Sequence, residues 1–531
     1  MTTEQQEEAE DQPAEDGADA PSVQRSQGNL LDRFLYKGIL PAYAFPTDVV
    51  SFHVFDENNS EQFQTEYLYT PSQGLPVALS QYAPGKVVWI DNKEWTSGAL
   101  FSPFRKELTD AWRDRWLYFE CHVCHYALHV DYDKAERGEK RQCPACGTPE
   151  SFGAAMNWLQ PPGFAHRVKQ QPGTSPDDAP ARSYATRAKL SAEGPEDSSK
   201  WKHLTPRLEQ TYRRDTLLVT NTGPRGEGYN YCTSCGLIEP TYPPSGVVAA
   251  PHKKPYPDER QEDCPGTFST RGLVLGTDFM SDVLLVRAKA DSPVTLRPQF
   301  LSTQVVLRTL ADALAIEATE RLDLETSEIL AEYRPALTTR GNEGLEVEIY
   351  LYDTLPGGAG FTRRIYDIGL PYFVDTLKRL EKCPENCDES CYRCLRSFGN
   401  RFEHTLLNRH LGASFLRYLI DGTVPVLEPA RRERSADLLF ADLHGRGIEG
   451  IDRNATIEVA GIGEVVAPIL VTRGAQQWIF GIHGPLTPDL APTQDLADAK
   501  EYGSIPVHLI DDMIISRNLP FASGLVLKWL T

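Results

Sequence analysis

From Leu345 to Tyr352 the chain alternates strictly: Leu345, Val347, Ile349 and Leu351 are interleaved with Glu346, Glu348, Tyr350 and Tyr352. A period of two predicts a strand ending near Asp353, with one face buried and the other toward water. Upstream, Val306, Leu310, Ala313 and Leu314 recur at helical spacing and predict a helix over 304–322. Val87-Val88-Trp89-Ile90 predicts a strand, with Asp91-Asn92-Lys93-Glu94 as its turn. Residues 117–119 and 129–132 predict two more strands, and Leu217-Leu218-Val219 another apolar run. Pro356-Gly357-Gly358-Ala359-Gly360 reads as a tight turn, followed by helical stretches through Ile365, over 373–380 and over 406–420. Residues 167–204 are rich in Pro, Ser and Gly without periodicity, and read as a linker or insertion. After 425 the pattern predicts short strands, such as 478–482 and 507–510, joined by turns.

Charge and composition narrow the function. The 531 residues carry a net charge of −20, which argues against a simple free-standing nucleic-acid binder. Residues 1–28 hold eight acids against Arg25 alone, with almost no large apolar side chains, and read as a disordered tail. No apolar run reaches the roughly 20 residues needed to span a bilayer, and the first residues do not read as a secretory signal. The expectation is a soluble, cytoplasmic protein whose thiols stay reduced, so that close cysteine pairs mean metal or redox chemistry rather than disulfides.

All eleven cysteines fall into three four-ligand sets. Cys121-x2-Cys124 and Cys143-x2-Cys146, eighteen residues apart, match a zinc ribbon, and Gly147 suits its tight knuckle. A four-thiolate site has no open coordination position, so this zinc would be structural. His122 and His125 compete as ligands but read better as neighbours. Cys232-x2-Cys235 is followed by His252, the only histidine before Cys264. Three thiols need a fourth donor to close a tetrahedron; the alternative makes His252 a surface residue beside Lys253 and Lys254. Cys383-x3-Cys387-x3-Cys391-x2-Cys394 has two main readings: a closed zinc site, or a closed four-cysteine iron–sulfur cluster. The last three of these have the spacing of radical enzymes that use S-adenosylmethionine, but Cys383 would fill the iron such chemistry leaves open.

Catalytic motifs are missing. No Gly-Lys-Ser/Thr follows the 356–360 turn, so it is not an ATP-binding loop; the bland reading is a strand-to-helix turn, the sharper one an anion held at the helix N-terminus. There is no His-Glu-x-x-His helix and no Gly-x-Ser-x-Gly elbow, and His483 is followed by Gly484-Pro485, so the His-x-Lys of phospholipase-type nucleases is missing. One basic stretch stands out: Arg393, Arg396, Arg401, Arg409 and Arg417, with Phe398, Phe402 and Tyr418 interleaved and Glu403 the only acid. Arginines could grip phosphates while rings stack on unpaired bases; the alternative pairs these arginines with acids elsewhere in the protein.

Leu351-Tyr352-Asp353-Thr354-Leu355-Pro356-Gly357-Gly358-Ala359-Gly360, the cysteine quartet and Cys394-Leu395-Arg396-Ser397-Phe398-Gly399-Asn400 resemble the MZB domain, the zinc-binding module of mitomycin-repair-type DNA helicases. Its metal ligands carry over as Cys383, Cys387, Cys391 and Cys394, although the three-residue gaps look looser than the family pattern, which leaves zinc versus iron open. The order of ribbon, knuckle and quartet over roughly residues 40–425 is similar to the DrmB family, the helicase-associated proteins of the DISARM anti-phage defence system. That resemblance implies a non-catalytic subunit bound to a DrmA-like, ATP-driven helicase, engaging DNA alongside a DNA methyltransferase. The expected protein is a multidomain α+β chain: zinc-ribbon-type modules, then a mixed α/β MZB domain with a four-cysteine metal cluster. Its expected parts are the tail 1–28, the ribbon domain 29–166, the linker 167–204, the knuckle module 205–290, the MZB-like domain 291–425 and a small α/β region 426–531. The competing readings are a stand-alone iron–sulfur DNA-repair enzyme and a protein–protein scaffold without nucleic-acid contact.

Overall fold

The computed structural model describes residues 48–60, 65–170, 185–195, 197–242, 246–258 and 261–530. The acidic stretch 1–28 and residues 171–184 of the expected linker lie outside them. The fold is a multidomain α+β one. Its central sheet has eleven strands among the described residues. β1 (Trp116–Glu120), β2 (Ala127–Asp131) and β3 (Met156–Leu159) enter it from the ribbon region. β4 (Leu208–Asn221) and β5 (Ser269–Lys289) flank the second cysteine set. α1 (Leu301–Leu322) precedes β6 (Ile329–Pro335) and β7 (Glu346–Asp353).

β5 is 21 residues long, about 70 Å of extended chain. Its centre and C-terminal half pair antiparallel with β4, from Leu275 opposite Asn221 to Ala288 opposite Leu208. β7 pairs with its far end, Val283–Lys289, and β3 runs parallel beside Val274 and Leu275. Segments from three of the expected modules therefore share one hydrogen-bonded sheet. A smaller N-terminal sheet is built on Val49–Phe55, Phe164–His166 and Lys93–Leu100. In it the hairpin from Val87–Ile90 turns at Asp91 and Asn92 alone, both with positive φ, and the return strand already begins at Lys93.

The alternating strand β7 departs from its expected exposure: all eight residues are buried. Val347, Ile349 and Leu351 pack with Val305, Val306 and Leu310 of α1. The opposite face is not wet, because residues 185–195 and Trp201 lie against it. The Tyr352 and Tyr350 hydroxyls accept the Ala188 and Leu190 amides at 3.1 and 3.2 Å. Glu348, fully buried, holds Arg334 at 2.9 Å and Arg287 at 2.8 Å. Its polar alternation serves a second, satisfied interior. α1 is buried nearly all round, including Arg308 and Asp312, which pair with Glu332 and with Arg187.

Three further helices complete this part: α2 (Phe361–Ile368), α3 (Leu370–Glu381) and α4 (Arg409–Asp421). Beyond 425 the chain holds helices as well as the expected strands. They are α5 (Pro429–Gly445), then β8 (Ile451–Val459), β9 (Gly463–Arg473) and β10 (Gln476–His483), α6 (Gln494–Tyr502), β11 (Val507–Asp511), α7 (Asp512–Arg517) and α8 (Leu519–Trp529). Their signal was present: Ala436, Leu439 and Leu443 in α5, and Ala522 and Val526 in α8, are buried at helical spacing. The surrounding Arg431-Arg432-Glu433-Arg434 run masks the first of these. This region has its own four-stranded sheet, with β10 and β11 parallel, and its own core of Leu439, Phe480, Ile510 and Val526. It leans on the rest through Thr295, whose amide reaches the Leu486 carbonyl at 2.9 Å, and through Arg517, 3.0 Å from Glu389. No described helix is long and apolar enough to cross a membrane.

Removing one member of a buried ion pair leaves the other charge uncompensated. Glu348→Ala should therefore lower the unfolding free energy by about 3–5 kcal/mol, read as a drop in the urea midpoint at unchanged slope.

Candidate metal centres

Each cysteine set closes into a compact cluster whose four ligand atoms lie within 4.8 Å of one another. In the first, Cys121 and Cys146 Sγ are 3.7 Å apart and Cys124 and Cys143 Sγ 3.6 Å. In the second, Cys232 and Cys264 Sγ are 3.7 Å apart, and Cys235 Sγ lies 3.2 Å from His252 Nε2. In the third, Cys383 to Cys391 is 3.6 Å, and Cys387 to Cys394 and Cys391 to Cys394 are both 3.7 Å. A tetrahedral ion with metal–sulfur bonds of about 2.3 Å sets its sulfurs about 3.8 Å apart. The three clusters fit zinc sites of this kind. A multi-iron cluster would hold its cysteines on separate irons and spread the third quartet further, so the spacing favours a single ion there.

The knuckles explain why the sequence folds this way locally. β1 delivers Cys121, and the chain turns back into β2 with the His125 amide on the Cys121 carbonyl at 2.9 Å. Gly147 repeats that bond to Cys143, and Gly236 to Cys232, each at 2.9 Å. All three turning residues have positive φ, which two of the knuckles meet with glycine and the first with His125. The His125 side chain is 73% exposed and His122 is exposed, so neither is a ligand. His252 is brought in beside the three thiols of the middle cluster as a candidate fourth donor: its Nδ1 sits 2.7 Å from the Ala250 carbonyl, which fixes the tautomer that turns Nε2 toward the sulfurs. Within that site Cys232 is drawn down to about 5 by the hydrogen bond from Cys235, and the same bond pushes Cys235 up. Three thiols this close cannot all ionise without a cation, and zinc would supply that charge.

The third cluster lies in the loop between α3 and α4. Arg409 is buried there, not on the surface: its guanidinium donates to the carbonyls of Cys387 at 2.7 Å and of Leu380 and Glu381 at 3.2 Å. Its expected role on DNA is corrected to holding the cysteine loop against the end of α3. Tyr418 is also buried, with its hydroxyl taking the Asp291 amide, and cannot stack on a base. Arg417 is ion-paired with Glu381. Arg396 donates to Ser390 at 3.0 Å, Arg393 lies 3.9 Å from Glu385, and Arg401 lies over the rings of Phe398 and Phe402.

The Pro356–Gly360 turn does place an anion at a helix N-terminus, but the anion is internal. Asp353 accepts the amides of Ala359, Phe361 and Thr362 at 2.8–3.0 Å, and Asp282 accepts that of Gly360 at 2.9 Å. Gly358 has φ +72°, and a Cβ there would lie 2.3 Å from the Asp282 carboxylate. The N-terminus of α2 is capped by the protein's own carboxylates and is closed to a phosphate. Burial raises the Asp353 pKa, and the three amide bonds oppose it.

Residues 310–395 match the family model described as MZB, the MrfA Zn-binding domain. That segment is an MZB-type zinc-binding domain. Its matched range ends just past Cys394, so it contains the whole third cluster. The chain is also 31% identical over 435 residues to Druantia protein DruE of Escherichia coli (strain UMEA 4076-1), covering 75% of this chain. It spans about a fifth of that relative's length, 22%. Among solved structures, the DUF1998 helicase MrfA bound to DNA gives a TM-score of 0.33 at 10% identity, over 70% of this chain and 34% of the helicase. MrfA without DNA gives 0.26, also at 10% identity, over 68% and 34%. At such scores the correspondence is loose.

Two predictions follow from this geometry. Cys121→Ser should lower the zinc content from three ions per chain to two and abolish hydrogen-exchange protection around Leu117, Phe119 and Phe152, which pack on that cluster. Asp353→Ala should orphan three amides and cost about 3 kcal/mol in urea denaturation, with Asp353→Asn costing less.

Proposed function

We propose that this chain is the non-catalytic, zinc-ordered partner of an ATP-driven DNA helicase, and that it helps the motor engage DNA in bacterial anti-phage defence. The observation that carries this reading is the MZB-type domain, with its closed four-thiol site, inside a chain that resembles DruE over 435 residues. The sequence contains no Gly-x4-Gly-Lys-Ser/Thr run to hold ATP, which supports a division of labour with a separate motor. The three clusters, the only groups of metal-ligating side chains found among the described residues, are closed four-donor sites. Zinc bound there would order the chain and leave no coordination position for water or substrate. Reduced thiolates of this kind suit the cytoplasm, where we place the protein.

The order of ribbon, knuckle and quartet favours a DISARM setting with a DrmA-like helicase as the partner. The likeness to DruE favours a second setting, a Druantia-type system. Co-expression with each helicase separates the two. The chain should co-purify with its own motor in its zinc-loaded form and fail to do so after metal is stripped by a chelator. ATP hydrolysis should require the helicase. ATPase or nuclease activity of the zinc-loaded chain alone would overturn the accessory role.

A further inference from the structure

The loop that leaves the third metal cluster presents aromatic rings to solvent from a hydrogen-bonded base. Tyr392, Phe398 and Phe402 are 70%, 79% and 60% exposed. The backbone beneath them is pinned. Asn400 is buried: its side-chain oxygen accepts the Ser397 amide at 2.7 Å, and its side-chain nitrogen donates to the Leu395 carbonyl at 2.8 Å and to Asp312 at 3.0 Å. In return the Asn400 amide donates to the Ser397 hydroxyl, closing a tight turn that throws Phe398 outward. His404 bonds the Ser397 carbonyl at 3.1 Å and meets the Tyr392 ring edge-on. On the other side of the turn the cysteine quartet fixes Cys391 and Cys394.

We propose that this loop, residues 392–404, is a stacking platform for unpaired bases of a single DNA strand. This deepens the helicase-partner reading and rests on it. Rings and cations alternate: the Arg401 guanidinium lies 4.3 Å from the Phe398 ring centre and 4.5 Å from that of Phe402, and Arg393 is 74% exposed beside Tyr392. The loop's one acid, Glu403, turns inward toward Arg187, 3.9 Å away, and Glu389 is held by Arg517. Among the described residues Arg393 makes its ion pair with Glu385, at 3.9 Å and itself 62% exposed, a pair that solvent screens. In a chain of net charge −20 the outward face of this loop is therefore locally basic and aromatic. Each base offers a flat face to a ring, and the neighbouring arginines suit the phosphates between bases.

The test uses the zinc-loaded full chain and a fluorescently labelled oligo-dT strand, with a blunt duplex of equal length as the comparison. The wild type should prefer the single strand. Y392A/F398A should weaken single-strand binding at least ten-fold and leave duplex binding and zinc content unchanged. F398W should restore binding, and F521A on α8, an exposed ring far along the chain, should have no effect. Should the double variant lose metal, F398A alone serves in its place. Unchanged single-strand affinity in the variant, or no preference for single strand in the wild type, overturns the platform. Helicase co-purification by the same variant then reports on the partner reading separately. A variant that keeps its DNA affinity but no longer co-purifies with the helicase would show the loop to be a protein-docking surface instead.

Discussion

Strand β5 has hydrogen-bonding partners along both edges, and most other features take their position from it. Cys264, a ligand of the second cluster, lies five residues before it. Its middle carries Asp282, which helps cap α2. Its far end holds β7, whose last residue, Asp353, completes that cap. Through β3 and β1 it also anchors the hairpin that delivers Cys121 and Cys124. A backbone ladder is a stiff connection, because each strand's register is fixed by which face must be buried. The metal sites thus sit at set places around one long ruler.

The clusters do locally what the sheet cannot. The first stands over a core of little more than Leu117, Phe119, Tyr126, Ala145, Phe152 and Ala155. A core of that size buries too little apolar surface to offset the entropy of ordering its loops. Four thiolates on one zinc ion would supply the missing free energy, with every coordination position taken by the protein. The third cluster is tied in differently, by Arg409 across three backbone carbonyls and by Asn400 on Asp312. Its loop is held from below by the same buried charges that organise α1.

The metal ligands were legible because spacing in sequence maps directly onto a knuckle, and even His252 could be found by elimination. The helix of 301–322 and the strands around the first cluster were legible from periodicity. The two faces of β7 were not. Alternation separates apolar from polar positions, but it cannot tell water from a covering segment that satisfies Glu348, Tyr350 and Tyr352. The covering residues within 185–195 lack periodicity because they contribute single contacts, such as the Ala188 and Leu190 amides, rather than a face. Arg409 and Tyr418 looked like surface groups by type and are buried because backbone carbonyls and an amide satisfy their polar ends. The glycine turn was readable as a turn, but its occupant, Asp353, stands before it in the same strand.

The long central strand has a consequence for how the chain reaches this state. β4 can pair with β5 as soon as residue 289 is made, and β3 already stands ready for Val274 and Leu275, but the far end of the opposite edge, Val283–Lys289, waits for β7, which ends at residue 353. At roughly 5–20 residues per second, an open, largely apolar edge stands on the nascent chain for several seconds. Contacts such as His129 with Asp278 close loops of well over a hundred residues, a topology that folds slowly. Protection of that far edge during synthesis therefore bears on the yield of native protein alongside its final stability.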